Sequence, residues 1–121
     1  MTTTDTTSLA TVIDTYFAAW NEADATKRLD LVGAAFTDEC RYVDPLSDVN
    51  GHAGVVDMIE GVRGQFVGAT LQRTGEIDAH HNLARFPWSA TGADGAVIVA
   101  GLDVAVVGDD GRITALAGFF G

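Results

Sequence analysis

The chain has 121 residues, 47% of them hydrophobic and only two of them proline, which suits one folded domain with its own core and excludes both disorder and a pair of ordinary domains. Seven Lys plus Arg stand against seventeen Asp plus Glu, a net charge of −10 with the basic residues scattered, so nucleic acid and anionic membranes are not expected partners. No apolar run reaches the roughly 18 residues that span a bilayer. The first residues lack the basic and apolar segments of a secretory signal, and the single Cys40 cannot form an internal disulfide and reads as a small buried hydrophobe. The expectation is a cytoplasmic single domain over 1–121 with a flexible tail over 1–7.

Leu9, Val12, Ile13, Tyr16, Phe17 and Trp20 recur at helical spacing, with Thr7 or Ser8 available as N-cap, and predict a first helix. Asp24 is placed to cap a second helix running through Phe36 with Leu29, Val32 and Phe36 inward, closed by Thr37, Asp38 and Glu39. Residues 40–44 read as a short strand ended by Pro45 and followed by a polar loop through Gly51. A third helix carries the stripe Val55, Met58, Ile59, Val62 and Phe66, and its three glycines leave tertiary packing to hold it. From Ala69 the period changes to strands at 69–79, 83–90, 96–107 and 113–120, separated by a weak break at His80-His81-Asn82 and by two glycine-containing turns, at 92–95 and 109–111. Three helices followed by a mostly antiparallel sheet is an α+β pattern.

Asp103 is the only ionisable residue in the apolar run 96–107, and neither face of a strand there is polar. Burial disfavours the charged form of an acid, so Asp103 is either a neutral carboxylic acid able to donate a hydrogen bond, or a structural carboxylate that pins the sheet through a nearby donor. Tyr16 and Asp44 also stand out, although a helix-face tyrosine is commonly core and an aspartate before proline commonly forms a turn. A sheet apolar on both faces needs two covers; the helices supply one, and a second copy of the chain, giving a homodimer through the outer sheet face, is expected to supply the other.

In the segments Tyr16-Phe17-Ala18-Ala19-Trp20-Asn21, Tyr42-Val43-Asp44-Pro45, Gly51-His52-Ala53-Gly54, and Gly101-Leu102-Asp103-Val104 through Asp110-Gly111-Arg112-Ile113, the chain resembles the nuclear transport factor 2-like superfamily, which includes SnoaL-like polyketide cyclases, steroid Δ5-isomerases and epoxide hydrolases. The resemblance implies a cone-shaped, cystatin-like fold, three helices on a curved sheet around a deep apolar pocket. By site it is most similar to the ketosteroid isomerases, which places Asp44 as general base and Tyr16 with protonated Asp103 as donors to an enolate oxygen. What it implies is proton transfer at carbon next to a carbonyl, of isomerase or cyclase type, on a small hydrophobic molecule and without cofactor or metal.

Strand parity under this resemblance turns Ala84, Phe86, Trp88 and Ala90, then Val99, Gly101 and Asp103, then Leu116, Gly118 and Phe120 toward the pocket, with Trp20, Tyr42, Met58 and Ile59 completing it. Pro87 predicts a bulge or an edge within its strand. Arg85 and His80 have no clear counterpart in the isomerases: Arg85 faces solvent or a partner subunit, or binds an anionic group. Epoxide hydrolysis would need an arginine between two carboxylates, with Arg85 the candidate. His80 and His81, being adjacent on a strand, are expected to point apart, which argues against a metal, and His52 is expected in a helix-start turn. A non-catalytic pocketed binding or association module is the rival reading.

Overall fold

A computed structural model describes residues 6–121. Helix α1 (Thr6–Asn21) buries Leu9, Ile13, Tyr16, Phe17 and Trp20, the stripe its periodicity predicts. Thr7 and Ser8 lie within it rather than capping it, and residues 1–5 of the predicted tail lie outside the described residues. Helix α2 (Ala25–Ala35) starts at Asp24, whose carboxylate accepts from the backbone N–H of Lys27 at 2.9 Å. Its inward face is rotated by one position from the predicted one. Leu29 is 48% exposed, and Arg28, 5% exposed, takes the inward place with Val32 and Ala35. The Arg28 guanidinium donates to the carbonyls of Glu22 and Ala23 and pairs with Glu60 at 3.2 Å, tying the interhelix loop to the third helix.

Phe36, expected to end the second helix, instead opens strand β1 (Phe36–Asp44), and residues 47–50, expected as loop, form β2 (Ser47–Asn50) hairpinned on it. Helix α3 (Gly51–Gln65) buries Val55, Met58 and Ile59. The predicted strand at 69–79 is divided into β3 (Thr70–Arg73) and β4 (Asp78–His80), both paired to β5 (Leu83–Thr91), and β6 (Val97–Val107) and β7 (Ile113–Phe120) complete the sheet. Its order is β2-β1-β7-β6-β5-β3, with β1 and β7 parallel and the other neighbours antiparallel.

Pro87 explains the division. It sits mid-strand in β5 between the last pair made by β3, Arg73 with Trp88, and the first made by β4, Asp78 with Arg85. Lacking an N–H, proline cannot serve a ladder there, and its carbonyl instead accepts from Thr74 at 2.9 Å. Parity is undisturbed, since Phe86 and Trp88 are both buried. The bulge in β5 and β6 lies further on, where Ala90 pairs with Val99 but Thr91 pairs with Val97, leaving Ile98 extra.

Candidate active site

The register of three strands builds the site floor. Asp103 of β6 lies opposite Gly118 of β7, and Ala117, the residue before that glycine, is level with Val43, the residue before Asp44. Gly118 is the spacer: a Cβ there would stand 3.0 Å from Asp103 Oδ1 and 3.2 Å from Asp44 Cβ. Any side chain there would press on both acids at once. Tyr16 descends on them from the middle of α1, and its hydroxyl donates to Asp103 Oδ2 at 2.9 Å, with both side chains almost wholly buried. Edge-to-face packing against Phe17, Phe36 and Phe86, with centroids at 5.0, 5.8 and 6.3 Å, fixes the Tyr16 ring.

Burial pushes the Asp103 carboxyl from 3.8 up to about 7; the Tyr16 hydrogen bond opposes that rise, the negative charge of Asp44 adds to it, and the nearby Trp88 indole opposes it. The Tyr16 phenol is raised well above its ordinary value by burial and by Asp103. Asp44 is held differently. Its Oδ1 accepts from the backbone N–H of Leu46 at 2.8 Å across the Pro45 turn, and its Oδ2 accepts from the Tyr42 hydroxyl at 2.7 Å. The Tyr42 phenol is in turn raised by burial and by the Asp44 charge. Two Tyr–Asp pairs therefore meet at this floor. The second pair escaped the sequence reading, although Tyr42 and Asp44 sit two apart on one strand and so share a face.

Above the floor is a cavity of about 290 Å³ that Tyr16, Asp44 and Asp103 all line. Of the residues expected around it, Trp20, Tyr42, Trp88, Ala90, Val99 and Phe120 do so. Met58, Ile59, Ala84, Phe86 and Leu116 are instead closed core, with Phe86 packed behind the rings of Tyr16 and Phe17. Gly101 and Gly118 contribute space rather than surface; a Cβ at Gly101 would come within 2.8 Å of the Trp88 ring and closer still to the Phe119 carbonyl. The mouth was missed. It is made by Leu46 and Ser47 of the β1–β2 turn, by Val62, Gln65 and Phe66 at the end of α3, by Ala69 and Leu71, and by Ile98, which the bulge turns inward beside Val99. Phe66 and Val62 were visible in the sequence as the tail of the α3 stripe. The bulge carried no such signal.

No Lys, Arg or His is among the lining residues. Arg85 is on the outer face and pairs with Asp78 at 2.9 Å, so it cannot stand between Asp44 and Asp103 as epoxide hydrolysis would require. His80 and His81 do not point apart: His81 occupies a turn at φ 54, which brings the two Nδ1 atoms to 3.2 Å on the exposed surface. His52, at the start of α3, places Nε2 2.8 Å from the Phe36 carbonyl. Among the described residues no helix is long and apolar enough to cross a membrane.

The family model of the SnoaL-like domain matches residues 13–116. A protein of the SnoaL-like family from Agrobacterium tumefaciens str. C58, provisionally described as an isomerase, is 40% identical and superposes with a TM-score of 0.90, covering 95% of this chain and 98% of its own. A protein provisionally described as a SnoaL-like polyketide cyclase, from Jannaschia sp. CCS1, is 12% identical with a TM-score of 0.78 over 99% of this chain and 91% of its own. A protein of unknown function with a cystatin-like fold, from Methylobium petroleophilum PM1, is 21% identical with a TM-score of 0.79 over 98% and 79%. At those two identities the likeness carries the fold alone. No curated protein matches the chain in sequence. Three helices on a curved, mostly antiparallel sheet, with the family match over most of its length, place this chain in the SnoaL-like domain family.

Proposed function

We propose that the chain is an enzyme that moves a proton at carbon next to a carbonyl, in the manner of an isomerase or cyclase and without a cofactor. The observation that carries this reading is the buried Tyr16–Asp103 hydrogen bond lying across Gly118 from Asp44, inside one apolar cavity. A carbonyl oxygen lodged at the Tyr16–Asp103 end accepts from the protonated Asp103 carboxyl and takes the one Tyr16 O–H proton, which turns to it from Asp103 Oδ2, so that charge developing on it as the enolate forms meets two donors. Asp44, at the other end of the row, takes the proton. Each carboxylate oxygen has two lone pairs, so the bonds from Tyr42 and Leu46 leave Asp44 an unused one for the carbon acid. The description of the Agrobacterium relative as an isomerase suits such chemistry.

The test is solvent deuterium uptake next to the carbonyl of a cyclic β,γ-unsaturated ketone, together with its conversion to the conjugated isomer, followed by NMR for the wild type and Asp44→Asn. Exchange that Asp44→Asn lowers by at least about 10²-fold is expected. Exchange unaffected by the substitution would remove Asp44 as base, and no exchange on any enolisable ketone would favour the binding-module reading. The same proposal includes a homodimer through the outer sheet face, where Leu102, Val104, Val106 and Ala117 are only partly buried and Phe119 is 57% exposed. A light-scattering mass of one chain at micromolar concentration would rule that out.

A further inference from the structure

Both tyrosines of the chain, Tyr16 and Tyr42, stand at the floor of the cavity, and each gives its one proton to one of the two acids. The sequence reading makes Tyr42 only a wall residue. It is 4% exposed, its ring lies 6.3 Å from that of Trp20, and its hydroxyl meets Asp44 Oδ2 at 2.7 Å, the short length of an O–H donor bonded to a charged acceptor. In the sheet it is level with Leu116 and Ala105, next on the same face to the row of Asp44, Gly118 and Asp103. That position brings the two phenols together. Tyr16 lies within hydrogen-bonding reach of the Tyr42 hydroxyl, so Asp44, Tyr42, Tyr16 and Asp103 form one line of oxygens from the proposed base to the proposed donor.

We infer that Tyr42 is a positioning residue that couples the two ends of the floor, holding the Asp44 carboxylate before proton transfer and supporting the Tyr16 hydroxyl after it. The inference rests on the proton-transfer reading of the site. A phenol has one proton, so Tyr42 serves one acceptor at a time. While Asp44 is ionised that acceptor is Asp44, because a hydrogen bond to a charged group is roughly twice as strong as one between neutral groups. Once Asp44 has taken the proton from carbon, the charge that held Tyr42 is gone. The Tyr42 O–H then turns to the Tyr16 oxygen, which is at that step donating to the enolate and is polarised by it. No O–H bond of either tyrosine breaks; the proton lost by carbon stays on Asp44 until it is returned, and only the direction of the Tyr42 donor changes. The bond to Tyr16 is therefore made only as the enolate forms, the kind of interaction that speeds the chemical step rather than binding.

Pentafluorophenolate supplies a ring oxyanion in place of the enolate, and Asp44→Asn supplies an uncharged stand-in for the protonated base. Affinity for the phenolate is measured at about pH 6, below the Asp103 midpoint of about 7, in the wild type, Tyr42→Phe, Asp44→Asn and the double variant. Tyr42→Phe keeps the ring and loses the donor. It is expected to change affinity by less than about twofold where Asp44 is ionised, and to weaken it about tenfold in the Asp44→Asn background, the worth of one hydrogen bond to a charged group. Loss of the Asp44 charge acts in both arms and cancels in the cycle, so equal effects of Tyr42→Phe in the two backgrounds, or no phenolate binding at all, would overturn the inference. In turnover of the β,γ-unsaturated ketone, Tyr42→Phe is expected to lower kcat about tenfold with KM within about twofold; a rise in KM with kcat kept would make Tyr42 wall alone. If Tyr42→Phe fails to fold, the two ¹³Cζ tyrosine signals of labelled protein decide the matter: bound phenolate is expected to move the Tyr42 signal in Asp44→Asn and leave it in place in the wild type, and a signal unmoved in both would overturn the inference. Coupled phenolate binding without deuterium uptake by the wild type would leave the link through Tyr42 standing and remove the proton-transfer reading. Uptake that depends on Asp44, with no coupling in the cycle, would do the reverse.

Discussion

Asp103→Asn exchanges a carboxyl for an amide of the same shape, whose oxygen can still accept from Tyr16, and removes the titration without emptying the site. In the wild type the carboxyl is held at about 7 against 3.8 in an unfolded chain. Below 3.8 both states are protonated and the group has no influence on stability. As pH rises the unfolded chain releases its proton first, so stability falls, and the loss levels off once the folded carboxyl also ionises above about 7. At 1.36 kcal/mol per pK unit the full loss is about 4 kcal/mol. Asn has no such dependence. The variant is therefore expected to match the wild type near pH 4 and to exceed it by about 4 kcal/mol at pH 8. Urea unfolding followed by tryptophan fluorescence, with both proteins run side by side from pH 4 to 8, reads this site because titrations of groups remote from it cancel in the difference. A difference that stays flat across that range would mean that Asp103 ionises as an ordinary carboxyl, and the neutral-donor role would fall with it.

Removing the partner hydroxyl acts in the other direction. Tyr16→Phe takes away the bond that holds the Asp103 midpoint down, so a carbon-detected NMR titration should place that midpoint above the wild-type value of about 7, and turnover should drop about 10²–10³-fold as one oxyanion donor is lost. An unmoved midpoint would show that the hydroxyl does not bond the carboxyl in solution. For the wild type, the rate should fall tenfold per unit above about pH 7 as Asp103 loses the proton it donates, whereas a rate flat from 7 to 9 would assign the donation elsewhere. Gly118→Ala puts a methyl group 3.0 Å from Asp103 and 3.2 Å from Asp44, and should destabilise by about 1–3 kcal/mol in urea unfolding while abolishing ketone exchange; full activity in this variant would mean that the two acids do not need their shared row.

The elements were legible because two periods, 3.6 and 2, rest on burial, and the chain buries one stripe of α1 and alternate residues of β5. What failed were features decided by geometry across elements. Leu29 and Arg28 are both long enough to turn inward, and the carbonyls of Glu22 and Ala23 together with Glu60 settle the choice for Arg28. Asp44 and Asp103 were visible because a carboxyl before proline and a carboxyl in an apolar strand are each anomalous in sequence. Cavity membership was not, because parity says which way a side chain points and not whether a neighbour fills the space in front of it. Phe86 and Trp88 point the same way, yet Tyr16 and Phe17 cover the first, and the second stays free over Gly101. Ile98 joins the wall only because one extra residue breaks the alternation.

Asp44 and Asp103 are the same side chain, each paired with a tyrosine hydroxyl, within reach of one glycine. Their surroundings give them opposite tasks. Asp44 is only half-buried, at the end of its strand, and accepts two hydrogen bonds, an arrangement that an ionised carboxylate fills naturally. Asp103 is 2% exposed in the centre of the sheet, and its nearest acid is Asp44 itself, whose charge makes a second charge on the row harder to place. The ionised acid therefore strengthens the neutral one, and losing the charge on Asp44 should ease ionisation of Asp103. A floor with one carboxylate and one carboxylic acid, separated by a residue with no side chain, can take a proton at one end while donating a hydrogen bond at the other.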